Sequence, residues 1–128
     1  MRFSRPAMLV VAVVAVTVLL VSRTGVFRPS QQVTEVKEHA TVVLTDKGFE
    51  PNNVTIRVGG TVTFSTTNGR PFWPASDPHP NHTLYPAFDP LAPVAADATW
   101  QFRFDKIGRW GYHDHIRSYY TGTIHVVQ

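Results

Sequence analysis

Lys47–Phe64 reads KGFEPNNVTIRVGGTVTF. Within it Val54, Ile56 and Val58 alternate with Thr55 and Arg57, and after Gly59-Gly60 the apolar Val62 and Phe64 alternate with Thr61 and Thr63. Alternation at period two in β-branched residues is the mark of strands with one buried and one wet face. The glycine pair reads as a tight turn, so Val54–Ser65 is expected to form a hairpin. The same grammar recurs on both sides. Thr41–Thr45 reads as a first strand ending at Asp46-Lys47-Gly48; Trp100, Phe102 and Phe104 alternate with Gln101 and Arg103; Trp110 and Tyr112 resume the period after Gly108; and Thr123–Val127 closes the chain. Short β-branched runs punctuated by Gly, Asn and Pro describe an all-β sandwich or barrel.

Asn68–Ala96 breaks the pattern. It carries Pro71, Pro74, Pro78, Pro80, Pro86, Pro90 and Pro93 and shows neither a helical nor a strand period. Connections longer than about 12 to 15 residues in a compact domain are usually functional or disordered. The aromatics Phe72, Trp73, Tyr85 and Phe88 indicate that this one is packed down onto the core.

The 128 residues suffice for one small domain and a terminal appendage. The formal charge of +3 is carried at the front: beyond Arg2, Arg5 and Arg23, residues 25–128 hold nine basic and nine acidic residues. A neutral domain without a Lys/Arg cluster has no electrostatic footprint for phosphate backbones, so no nucleic-acid partner is expected. Arg2 and Arg5 precede AMLVVAVVAVTVLLV (7–21), which reads as the basic and apolar regions of an export segment. Fifteen residues of helix span about 22 Å, so Ser22 and a snorkelling Arg23 would complete a membrane span through residues 7–22. Residues 1–24 are therefore expected to be an uncleaved anchor or a cleaved signal peptide. Residues 25–39 form a polar linker that includes a solvated His39, and residues 40–128 form the domain. That arrangement places the domain outside the cytoplasm, tethered to the cell membrane, or secreted if residues 1–24 are removed.

The chain has no cysteine, and its two methionines, Met1 and Met8, fall in the export segment. Disulfides, thiol nucleophiles and thiolate metal sites are excluded together. Histidine remains, and four of the six occur as close pairs: His79 and His82 in DPHPNH, and His113 and His115 in YHDH. Two residues apart on extended backbone, His113 and His115 leave the same face with alpha carbons about 7 Å apart, a span that one metal ion bridges. Pro78 and Pro80 argue against a helix around His79 and His82 and stiffen the loop that presents them. These four are the expected metal ligands, with Asp77, Asp89 and Asp114 as candidate partners for their ring N–H groups. His125 alternates with Ile124 and Val126 and is expected to face solvent. Neutral imidazole suits Cu(II), zinc, nickel and iron, whereas Cu(I) favours sulfur, so the oxidised ion would be held better.

Over about residues 41–128 these motifs resemble the cupredoxin superfamily, the plastocyanin- and azurin-like copper proteins. KGFEPNNVTIRVGGTVTF is similar to that family's opening strands, WQFRFDKIGRWGYH to its F-x-F-x-x-x-G-x-Y-x-Y stretch, and TGTIHV to its closing strand. The resemblance implies a Greek-key β-sandwich and selects copper ahead of zinc; the sulfur-free donor set favours it as Cu(II). Counted back from Gly122, the family's cysteine, histidine and methionine ligand positions hold Asp114, Arg117 and Tyr120, and its upstream histidine falls near Phe72. WGYHDH is also similar to the W-Y-H-x-H segments of multicopper oxidases, in which a His-x-His pair binds copper without sulfur.

Three readings follow. The first is a sulfur-free copper module for binding, handling or electron exchange, with a redox or copper-handling protein as partner. The second is a small copper enzyme that works as an oligomer. The third is a metal-free interaction domain, in which the histidine pairs would lie more than about 10 Å apart, too far for ligands that sit about 2 Å from an ion.

Overall fold

The computed structural model describes residues 36–128. The expected export segment 1–24, its apolar run 7–22 and most of the expected linker lie outside the described residues. No described helix is long and apolar enough to cross a membrane.

Seven strands form the described part: β1 (Lys37–Thr45), β2 (Gly48–Glu50), β3 (Asn53–Thr66), β4 (Pro74–Ser76), β5 (Trp100–Arg103), β6 (Gly108–Asp114) and β7 (Thr121–Val127). Their ladder runs β2-β1-β3-β7-β6-β4, with β5 pairing β3. β1 starts at Lys37 rather than Thr41, so His39 lies in a strand and not in a linker; its side chain is exposed, as expected.

The expected hairpin at Gly59-Gly60 is absent. β3 runs without reversal through both glycines, and its two halves serve largely different neighbours, apart from a Lys37–Ile56 pair with β1. Asn53–Arg57 pairs in parallel with β7, whereas Thr61–Thr66 pairs in parallel with β1 and Thr61–Phe64 antiparallel with β5. The glycines bend the strand instead of turning it. Gly59 adopts φ +83°, the left-handed region open to glycine. A Cβ on Gly60 would lie 2.8 Å from the carbonyl oxygens of both Arg57 and Glu38. The bend is anchored from Gly59 N–H to the Phe104 carbonyl (2.7 Å) and from Phe104 N–H to the Gly60 carbonyl (2.9 Å). Val58, at the bend, is turned outward.

Because β3 is shared, the ladder divides into two layers that bury their apolar faces against each other. Val42, Leu44, Val62 and Phe64 come from one; Val54, Ile56, Tyr112, Ile124 and Val126 come from the other. Each such side chain contributes roughly 1.5–3 kcal/mol when fully buried. Phe64 meets Tyr112 edge-on across the interior, with ring centroids 5.5 Å apart.

The proline-rich stretch contains two strand-like pieces that its composition hides: β4, paired with β6, and a bridge between Phe72 and Val94. It is packed down as expected. Phe72, Tyr85 and Phe88 are buried, and Phe88 inserts among Phe64, Phe104 and Tyr112. The segment between β4 and Phe88 is thereby held at both ends while its middle, residues 77–84, lies against β6.

Candidate metal centre

Tyr112 of β6 faces the core, so strand alternation turns His113 to the other side, with Asp114 again inward. His115 follows on the His113 side and extends the ladder, its N–H donating to the Trp73 carbonyl (2.7 Å). The 77–84 segment covers this face. Asp77 N–H donates to the Gly111 carbonyl (3.0 Å), Leu84 N–H to the Asp77 carbonyl (2.8 Å), and His82 N–H to the Pro78 carbonyl (2.9 Å). At the return, Ser76 N–H donates to the Phe88 carbonyl and Tyr85 N–H to Ser76 Oγ. His79 and His82 are thus carried over His113 and His115.

The four histidines meet. One ring nitrogen from each lies within 4.8 Å of the others. His79 Nδ1 faces His113 Nε2 at 3.2 Å, and His82 Nε2 faces His115 Nδ1 at 2.9 Å. Ligands about 2.0 Å from an ion stand about 3 Å apart when adjacent and about 4 Å when opposite. The two short separations already match adjacent ligands, and the widest must close by less than about 1 Å. The donor set, four neutral-capable imidazoles, fits a divalent ion of intermediate softness. His113 and His82 are buried, His115 is half-buried and His79 is exposed, so the cluster opens to solvent on the His79 side.

Two carboxylates select which nitrogen faces inward. Asp89 Oδ2 accepts from His82 Nδ1–H at 2.6 Å, and Asp77 Oδ1 from His113 Nδ1–H at 2.8 Å. Each leaves the Nε2 lone pair directed at the cluster, the tautomer a metal requires. Asp114, the third expected carboxylate, does not join them. Burial pushes the Asp89 carboxyl up, but hydrogen bonds from Leu91 N–H, Trp73 Nε1–H and His82, with the His82 charge, outweigh it and hold it below the usual carboxylate range. Burial lowers His115, and the neighbouring His82, His79 and His113 lower it further, against a small opposing effect of Asp89. The shift favours the neutral imidazole of His115 over the charged form, which cannot ligate a metal. His82 sits at φ +53°, a left-handed conformation that costs a non-glycine residue roughly 1–2 kcal/mol and is held here by its bonds to Pro78 and Asp89.

The positions that resemble the family's sulfur-containing site hold no ligand set. Asp114 is fully buried and accepts from Arg117 Nε (2.7 Å) and from Trp73 N–H (2.7 Å), while Arg117 also donates to the Pro71 carbonyl. Tyr120 donates to the Asp46 carbonyl, and Phe72 is core. An ion pair fills that end of the sandwich.

Two residues of the cluster's surroundings escape a sequence reading. Trp73 presents only as a packed aromatic, yet its ring lies 4.6 Å from that of His115 and its Nε1–H donates to Asp89 Oδ1 at 2.8 Å. Gly111 makes room for Asp77: a Cβ there would lie 2.5 Å from the carboxylate. His39 and His125 stay outside the cluster.

No protein-family model and no curated protein sequence matches this chain. Solved structures do. A purple cupredoxin from Nitrosopumilus maritimus superposes with TM-score 0.60 at 19% identity, covering 69% of this chain and 99% of that one. A mutant plastocyanin of fern gives TM-score 0.57 at 17% identity over 68% of this chain and 99% of that one. A copper-containing nitrite reductase from Thermus scotoductus SA-01 gives TM-score 0.56 at 22% identity over 70% of this chain and 22% of that one. The chain has the cupredoxin fold, with an Asp114–Arg117 ion pair at the positions that resemble the family's cysteine and histidine positions and a four-histidine cluster across the same strand.

Proposed function

We propose that this domain is a sulfur-free copper protein, exported and held at the membrane, in which His79, His82, His113 and His115 bind one ion for copper handling or electron exchange. The convergence of two separate histidine pairs to within 4.8 Å is the observation that carries the reading. Two more support it: carboxylates preset the tautomers of His82 and His113, and the solved neighbours include copper proteins by name. Separation beyond about 10 Å, the geometry that would favour a metal-free interaction domain, is not found.

Copper held here would supply a one-electron couple. Four nitrogens without sulfur, two of them made more basic by hydrogen-bonded carboxylates, favour the Cu(II) state. The chain's own contribution is to hold His113 and His115 on a strand, bring His79 and His82 over them on an anchored loop, and leave the His79 edge open to a partner or a small ligand. Export and tethering rest on Arg2, Arg5 and the apolar run 7–22. The test is metal analysis after Cu(II) loading and exhaustive desalting. One copper per chain is expected, lost in His113→Ala and His82→Ala; retention unaffected by those substitutions would overturn the assignment.

A further inference from the structure

Trp73 touches the strand half of the histidine cluster and reaches the loop half through Asp89, with four separate contacts in all. Its N–H donates to Asp114 Oδ1 (2.7 Å) and its carbonyl accepts from His115 N–H (2.7 Å), fixing the backbone beside β6. Its ring packs on His115 at 4.6 Å, and its Nε1–H donates to Asp89 Oδ1 at 2.8 Å. Asp89 is the carboxylate that orients His82. The strand pair and the loop pair therefore meet in one side chain. Among the described residues no other non-histidine ring packs on the four histidines.

The two orienting carboxylates are not equivalent. Asp77 keeps a side chain 42% exposed, whereas that of Asp89 is 10% exposed and is shared among three donors: His82 Nδ1, Trp73 Nε1 and the Leu91 N–H (2.8 Å). A dry carboxylate with a single donor would concentrate its charge on that imidazole and make it a stronger ligand for Cu(II). Each added donor draws charge away.

We infer that Trp73 is a positioning residue with two separable actions: its ring sets the orientation of His115, and its Nε1–H moderates the charge that Asp89 places on His82, keeping the site accessible to both copper oxidation states. The second action rests on the copper reading; the first does not.

Trp73→Phe, Trp73→Leu and Asp89→Asn separate the two in the full chain. In metal-free protein, imidazole nitrogen shifts should show His82 protonated on Nδ1 in wild type and Trp73→Phe, and on Nε2 in Asp89→Asn. The ring-current shift on His115 should persist in Trp73→Phe and vanish in Trp73→Leu. With Cu(II), Trp73→Leu should bind about 10- to 100-fold more weakly. Trp73→Phe should bind Cu(II) at least as tightly as wild type and show a lower reduction potential, and Asp89→Asn a higher one. A residue that merely fills space would move the potential in no ordered direction. Wild-type affinity in Trp73→Leu, or an unchanged or raised potential in Trp73→Phe, overturns the inference. Should Trp73→Leu fail to fold, Trp73→Phe retains most of the volume and still decides the charge effect. If wild type takes up no copper, the functional reading falls while the metal-free shifts still decide the positioning role.

Discussion

Replacing Asp89 by Asn changes one atom and should separate metal affinity from fold stability. In the native site the two oxygens accept three hydrogen bonds: His82 Nδ1–H on Oδ2 at 2.6 Å, and Trp73 Nε1–H and Leu91 N–H on Oδ1, both at 2.8 Å. An asparagine oxygen can keep the last two. Its NH2 group then faces His82 Nδ1, which must become an acceptor and move its proton to Nε2, into the cluster. The metal-free fold loses little, on the order of 1 kcal/mol, because every partner is satisfied in the exchanged arrangement. Metal binding must reverse the tautomer and set two donors against each other. That penalty is about 1.4–2.7 kcal/mol, the 10- to 100-fold loss expected when a ligand's carboxylate partner is removed. Competition titration with a Cu(II) chelator measures the first quantity and thermal unfolding without metal the second. Equal copper affinity in Asp89→Asn and wild type would refute the tautomer argument. So would a loss of metal-free stability as large as the loss in binding.

Other consequences follow from the same geometry. Tyr112 is fully buried and its hydroxyl has no hydrogen-bond partner among the described residues, so Tyr112→Phe should stabilise the domain by about 1 kcal/mol in urea unfolding. Burial raises the Tyr112 phenol far above its ordinary range, so no tyrosinate should form there before alkaline unfolding. Arg117→Met should cost about 3 kcal/mol, because it strands the fully buried Asp114 carboxylate, and Asp114→Asn added to it should recover part of the loss. His115 is held below its ordinary value of 6.5 in the folded state. The unfolded chain therefore takes up that proton first, and the His115 contribution to metal-free stability is complete above pH of about 6.5 and declines as pH falls toward the folded value. The decline should disappear in His115→Gln in a pH series of thermal melts.

Most of the strands were legible, because period-two alternation survives wherever one face is wet: β5, β6 and β7 lie over or around Trp100–Phe104, Trp110–Tyr112 and Thr123–Val127. The misread hairpin is instructive, since its refutation was in the sequence. A two-residue turn at Gly59-Gly60 would set Ile56 opposite Thr63 and Val54 opposite Ser65, mixing apolar and polar residues on one face. Val54, Ile56, Val62 and Phe64 share a parity, as they do on one continuous strand. β4 could not be read, because Pro74-Ala75-Ser76 has no β propensity and pairs only because Phe88 and Tyr85 hold the loop against β6. In the cluster, the two histidine pairs were visible from spacing, but their convergence depends on how the 77–84 segment folds back. Which carboxylates orient the rings was beyond pattern: Asp77 and Asp89 do so, while Asp114, between the two strand histidines, points to the opposite face by strand alternation.

Electron paramagnetic resonance of the Cu(II)-loaded domain at neutral pH tests the central claim most directly. One copper per chain, with hyperfine structure from several imidazole nitrogens that collapses in the His82→Ala and His113→Ala variants, is the result expected. A signal of aqueous or carboxylate-bound copper, or a nitrogen-coordinated signal that survives both substitutions, would contradict the four-histidine site.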